Sequence, residues 1–370
     1  IQIVICLRGV KMVSVKHRIR YPPFESAKLN AKHIPIVEHS FEIDGPVIPP
    51  FRLGTEDSWI VERVIEGEYE KDSNYHGEKP QIIEKQRTGW YLIPHPIHAK
   101  VRNYINGLVV ILLLCLFYLF TAPIQSSLGI TTFGTGKVRF GLLDYPILAV
   151  IIVPMMVAPI FLRIAANLGD LRRQRLFLSN APKSPKITIE EVKSGENLKG
   201  KIVIKNPQED WLSMKLSWRV GILPPARHKI FSALGRDKDG QPPPGLTTPL
   251  PHHWEKGLDD GTGMGEDAPM ERHDAPGGVF LRPMRIMSSS STQSFEIQGG
   301  EFELEKPEGD WPGTVYGDLL RVHWELLVNI QRTKGGPLLW VEPLVVSHLD
   351  QAVVNENILI SDGRTESDTL

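Results

Sequence analysis

Two uncharged apolar runs, Tyr104 to Ala122 and Tyr145 to Leu162, stand close together in the middle of an otherwise polar chain of 370 residues. A helix rises about 1.5 Å per residue, so each run is about as long as a crossing of ~30 Å of hydrocarbon requires. In the first run Leu112, Leu113, Leu114, Leu116, Phe117, Leu119 and Phe120 leave no polar stripe, which suits lipid better than one-sided burial in a soluble core. The second has Pro146 near its start and Pro154 and Pro159 inside it, and an internal proline removes a backbone donor, so a kinked span is expected. The chain is thus expected to be an integral, multi-pass membrane protein. With one acidic residue near the interface, Asp144, the pair reads as an anchor rather than a channel.

Positive charge sets the expected orientation. Lys100 and Arg102 precede the first run and Arg163, Arg172, Arg173 and Arg175 follow the second, whereas the connecting loop carries Lys137 and Arg139. Both large polar regions are expected to face the cytoplasm. The four arginines are the candidate site of contact with membrane: mixed with Ile164, Leu168, Leu171, Leu176 and Phe177, they fit either a helix emerging along an anionic lipid surface or a plain helix end with solvated arginines.

These runs divide the chain into residues 1–100, a small β-rich domain; 101–182, a transmembrane hairpin (spans 104–122 and 145–162) with a basic juxtamembrane helix; 183–350, a β-sandwich with an insert at 224–278; and 351–370, a disordered tail. The apolar opening Ile1 to Leu7 fits either the tail of another membrane helix or a buried strand. The 42 Lys and Arg nearly cancel the 43 Asp and Glu, so no global field favours nucleic acid as a partner. Cys6 and Cys115 lie in different segments, the latter inside an apolar run, and make no disulfide framework.

From Ile187 onward the period changes to strand alternation. Leu320, Val322, Trp324, Leu326, Val328 and Ile330 fall on one side of a strand and Arg321, His323, Glu325, Asn329 and Gln331 on the other. Met214, Leu216, Trp218 and Val220 alternate with Lys215, Ser217 and Arg219, and Ile202 and Ile204 with Lys201 and Lys205. Further strands are predicted at 187–192, 279–287, 294–298, 301–305 and 337–346, separated by turn signals such as Ser194-Gly195, Asn206-Pro207, Gly299-Gly300 and Gly335-Gly336. Seven or eight short strands without intervening helices predict an antiparallel sandwich in a mainly β protein. In the N-terminal region strands are predicted at 10–17, 34–43, 59–65 and 90–93.

Two resemblances attach to these segments. Ser194-Gly195-Glu196-Asn197-Leu198-Lys199-Gly200-Lys201-Ile202-Val203-Ile204, Phe295-Glu296-Ile297, and the stretch from Pro312-Gly313-Thr314 through Trp324-Glu325-Leu326 resemble strands of arrestin-like sandwiches, including the sporulation-control type. The resemblance covers about half of 187–347 at the level of pattern and departs at the long insert 224–278. It implies an arrestin- or immunoglobulin-like binding scaffold and carries no catalytic residue. The segment from His33 to Gly45, with Trp90-Tyr91-Leu92-Ile93-Pro94-His95-Pro96-Ile97-His98-Ala99-Lys100-Val101, is similar to an uncharacterised membrane-associated β-domain family, although His95 and Ile97 stand where polar loop residues are commoner.

No catalytic constellation is found: the chain lacks a Gly-rich Lys-Ser phosphate loop, a Gly-x-Ser-x-Gly elbow and a dinucleotide fingerprint. The insert concentrates His252, His253, Asp259, Asp260, His273 and Asp274, but Asp259-Asp260-Gly261-Thr262-Gly263 lacks the alternating ligands of a calcium loop and the histidines lack zinc spacing. It reads as a solvated loop rather than a metal site. His95 and His98 likewise read as interface residues. The expected function is that of a membrane-anchored adaptor or scaffold, with the lipid bilayer and proteins as partners and neither cofactor nor enzymatic activity. The sequence fixes no oligomeric state. The alternatives are an accessory subunit of a membrane transporter or envelope complex, and a metal-dependent hydrolase built on the insert.

Overall fold

A computed structural model of the chain describes residues 12–20, 32, 35–80, 83, 87–93, 97–130, 134, 136–223, 232–233, 235 and 284–357. They form two units, one of residues 94–179 and one that takes in the chain on both sides of it, 1–93 with 180–370.

In the larger unit, strands β1 (Met12–Arg20), β2 (Val37–Asp44), β3 (Phe51–Gly54) and β4 (Ile60–Glu66) belong to one sheet, and β5 (Gly89–Leu92) to another. After the helical unit come β8 (Lys186–Ile189), β9 (Leu198–Val203), β10 (Trp211–Ile222), β11 (Arg285–Ser289), β12 (Gln293–Phe295), β13 (Gly299–Leu304), β14 (Val315–Tyr316), β15 (Arg321–Arg332), β16 (Leu338–Leu344) and β17 (Val353–Asn355). The five-stranded sheet has the order β17-β3-β4-β1-β2; the seven-stranded sheet runs β11-β10-β15-β16-β5, with β12 on β10 and β14 on β15; β13-β9-β8 make a third. The apolar positions of the predicted alternation are buried: Val322, Trp324, Leu326, Val328 and Ile330 stand opposite Ile222, Val220, Trp218, Leu216 and Met214 of β10. The Trp218 and Trp324 rings pack 4.9 Å apart at a tilt of 33°, and the Trp218 indole donates to the Glu305 carbonyl just beyond β13. Leu198, Ile202, Phe302 and Leu304 are the buried residues of the three-stranded sheet.

The division into an N-terminal domain 1–100 and a C-terminal domain 183–350 is corrected. β5 completes the edge of the seven-stranded sheet, pairing with β16 so that Trp90 stands opposite Trp340, their rings 5.3 Å apart. Nor is 351–370 wholly a tail, because β17 lies parallel to β3 and closes the N-terminal sheet; 358–370 fall outside the described residues. Alternation reports which side of a strand is buried and says nothing of which strand lies beside it, so neither pairing was predicted. The opening 1–7, His95 and nearly all of the insert 224–278, including its histidines, also lie outside the described residues.

In the helical unit, α1 (Ile97–Phe120), α2 (Ala122–Ser127), a hairpin of β6 (Lys137–Phe140) and β7 (Leu143–Pro146), and α3 (Ile147–Ser179) follow in order, with α1 against α3. Among the described residues one helix is long and apolar enough to cross a membrane, α3 over Val150–Ser179, judged by length and composition. The expected separation of a span from a basic juxtamembrane helix is not seen: α3 runs without interruption through Pro154, Pro159 and all four arginines.

Candidate functional site

The four arginines occupy one helix but not one face. At about 100° per residue, positions 163, 172, 173 and 175 are distributed around the circumference of α3. Arg172 and Arg175 are exposed, while Arg173 is held by Asp170, one turn earlier, at 2.9 Å. The helix therefore gives the four positions no common face.

It gathers instead residues that alternation had assigned to the polar side. On β15, His323 and Glu325 are completely buried, and on β10 Arg219, directly opposite Glu325, is 1% exposed. The outer face of this sheet is covered, because β15 is buried on both sides from Val322 to Val328. Arg87, from the segment before β5, grips the Glu325 carboxylate with two hydrogen bonds, Nε to Oε2 at 2.9 Å and Nη2 to Oε1 at 2.7 Å. Arg219 adds Nε to Oε1 at 2.7 Å. His323 places Nε2 3.2 Å from Glu325 Oε2, and its Nδ1 lies 3.0 Å from the Tyr316 hydroxyl.

Electrostatics and geometry agree on the protonation states. Burial alone would raise the Glu325 carboxyl, but the guanidinium groups of Arg87 and Arg219 hold it well below the usual carboxylate range. Burial pushes His323 down against the opposing pull of Glu325, leaving a neutral ring. With Nε2–H facing the carboxylate, Nδ1 accepts from Tyr316, whose own hydroxyl is shifted upward by burial and by Glu325. A carboxylate so stabilised is a poor base, and both nitrogens of the neutral imidazole are already engaged, Nε2–H toward Glu325 and Nδ1 by Tyr316. What the cluster does is cross-link, joining Arg87 to two central strands.

A second buried group lies where the N-terminal sheet meets the loops around β14. The Arg63 guanidinium, 4% exposed, donates from Nη1 to His17 Nε2 at 2.7 Å. Burial and the neighbouring Arg63 pull His17 down to about 3. His348 takes the Gly313 N–H on Nδ1 and donates from Nε2 to the Thr314 carbonyl, each at 3.1 Å. Burial pulls it down to about 4. Each ring must keep one bare nitrogen to make these bonds, so both are neutral by construction.

Among the described residues no group of three or more His, Cys, Asp or Glu side chains is arranged to hold a metal. The sequence reasoning missed the Glu325 cluster because nothing in an alternating strand marks its second face as covered. The available signal was a charge pair, Arg219 and Glu325, on two strands of clear alternation, which antiparallel pairing can bring opposite one another. No protein-family model matches the chain, and no curated protein matches it.

Proposed function

We propose that this protein is a membrane-anchored scaffold: a β-sandwich of arrestin type, held at the bilayer by a helical hairpin, that offers its sheet edges and loops to protein partners. The observation that carries the reading is the exposure of α3, whose apolar stretch is only 12% buried, whereas a helix of that composition in a soluble core is mostly covered. At 33 residues it is about 50 Å long, enough to cross the hydrocarbon and carry Arg172 and Arg175 beyond it.

Chain connectivity supports a second crossing. The segments before and after the helical unit supply strands to the same sheets, β5 beside β16 and β17 beside β3, so both flanks lie on one side of any membrane. A chain that crosses once in α3 must therefore cross back, and α1, with 24 residues, has the length to do so. The arginines around the end of α3 favour the cytoplasm for that side. The scaffold role is supported by the chemistry of the buried clusters, which fix strands and hold no reactive group poised for proton transfer, and by β2, an edge strand of the five-stranded sheet suited to strand addition.

The test uses single cysteines at Lys137, in the loop between α1 and α3, and at Lys199 of β9, with Cys6 and Cys115 replaced by serine, in the full chain in sealed vesicles. A membrane-impermeant maleimide should reach the two positions from opposite sides. Labelling of both from one side sinks the hairpin, and failure of chemical cross-linking in native membranes to trap a protein on the β unit sinks the scaffold role.

A further inference from the structure

The hairpin Lys137–Pro146 divides its residues by face. In the register Val138 stands opposite Tyr145 and Arg139 opposite Asp144, so Val138, Leu143 and Tyr145 share one face while Lys137, Arg139 and Asp144 share the other. Gly141, at φ +63°, opens the two-residue turn and leaves Leu142 at the tip, 93% exposed. Residues 136–139 and 141–145 are all exposed, Leu143 at 61%. A lone two-stranded ribbon is marginal in water, and one with an uncovered apolar face is less favourable still.

The base of the hairpin is fixed to the start of α3. The Ile147 N–H donates to the Gly136 carbonyl at 2.8 Å and the Leu148 N–H to the Gly134 carbonyl at 3.3 Å, satisfying first-turn donors that a helix otherwise leaves open. A side chain at Gly136 would press on the Ile147 Cδ1 atom, so the approach is close. The ribbon is thereby held at the end of the apolar helix, continuous with its exposed surface.

We propose that β6 and β7 form an interfacial foot that lies on the bilayer surface, its apolar face and Leu142 set among the upper acyl chains. This rests on the reading of α3 as a span. The unpaired edges of a two-stranded ribbon forbid immersion in hydrocarbon, but the headgroup layer supplies hydrogen-bond partners. Tyr145 is a residue type favoured at that depth, and Lys137 and Arg139 on the opposite face reach headgroup phosphates.

The experiment places an environment-sensitive fluorophore at a single cysteine, Leu142→Cys, Lys137→Cys or Val153→Cys, in the full chain lacking Cys6 and Cys115. The protein is reconstituted in phosphatidylcholine vesicles containing phosphatidylserine. Quenching by shallow nitroxide lipids should be at least about threefold stronger at 142 than at 137, with the order reversed for aqueous iodide. If iodide reaches 142 as well as it reaches 137 while 153 is quenched by lipid, the foot is overturned and the span stands. If 142 is shielded from both quenchers, a polypeptide covers it and the foot is overturned. If iodide reaches 153, the span fails and the foot with it.

Discussion

Glu325 and Arg18 each sit at the centre of a cluster of opposite charges, and their difference in depth gives the clusters different roles. Arg18 on β1 reaches Glu38, Glu56 and Glu62 at 2.7 to 2.9 Å, but its side chain is 19% exposed and two of its partners are well exposed. Water screens such a fan, which adds little stability and tolerates loss of a member. Glu325 has two charged partners at similar distances, but neither it nor its arginines can recover solvation if one is removed. Charge at the surface is replaceable, whereas in the sheet it dictates which strands come together.

The sharpest way to break the comparison is Glu325→Gln, which keeps the shape and leaves two guanidinium groups facing a neutral amide. It should cost about 3–5 kcal/mol, read as a shift in the urea midpoint, and combined replacement of Arg87, Arg219 and Glu325 by apolar residues of similar volume should recover most of it. A cost below that of a surface pair would erase the distinction.

Acid should act through the buried histidines before it touches the Arg18 fan. His17 and His348 are neutral in the fold, with values lowered from the ordinary 6.5 to about 3 and about 4, so the unfolded chain binds more protons below that value. Their stabilising contribution is complete above pH 6.5 and declines as pH falls toward the folded values, by up to about 2 kcal/mol per ring between pH 6.5 and 5. His348→Gln retains an acceptor and a donor and should remove roughly half of that slope in denaturation curves compared at the two pH values. An unchanged slope would mean that His348 does not titrate on unfolding.

A smaller effect is expected where backbone rather than charge brings the segments together. Gly77 has φ +78°, and a Cβ there would overlap the Tyr316 carbonyl oxygen, beside the ionic centre. Gly77→Ala should cost about 1–3 kcal/mol in thermal unfolding, and wild-type stability would show that the loop yields freely. The smallest effect belongs to Glu38→Gln, which loosens one arm of the Arg18 fan. Stability should fall by less than about 1 kcal/mol, and the difference should shrink further in 1 M salt.

Much of the secondary structure was legible because a half-buried strand writes its burial into the chain at every second residue. Met214, Leu216, Trp218 and Val220 carried that pattern, and all are buried. Short strands carry too few repeats: Phe51–Gly54 escaped notice, Lys137–Phe140 passed as loop, and Leu143–Pro146 was divided between that loop and the start of the second apolar run. The Glu325 cluster was hidden for a different reason. Its members look like solvent-facing positions until β5 and the Arg87 segment are known to join a sheet more than two hundred residues away in sequence. The basic end of α3 was legible as composition, whereas its distribution around an unbroken helix required the helix to be seen whole.

The parallel strand β17 has a consequence for biosynthesis. Phe51 to Leu53 remain an open edge until Val353 to Asn355 emerge, about 300 residues later. At typical elongation rates of ~5–20 residues per second the ribosome takes on the order of 15–60 s to supply that closing strand. The whole helical unit is made within this interval, while the sheets built from the chain on either side of it are still incomplete.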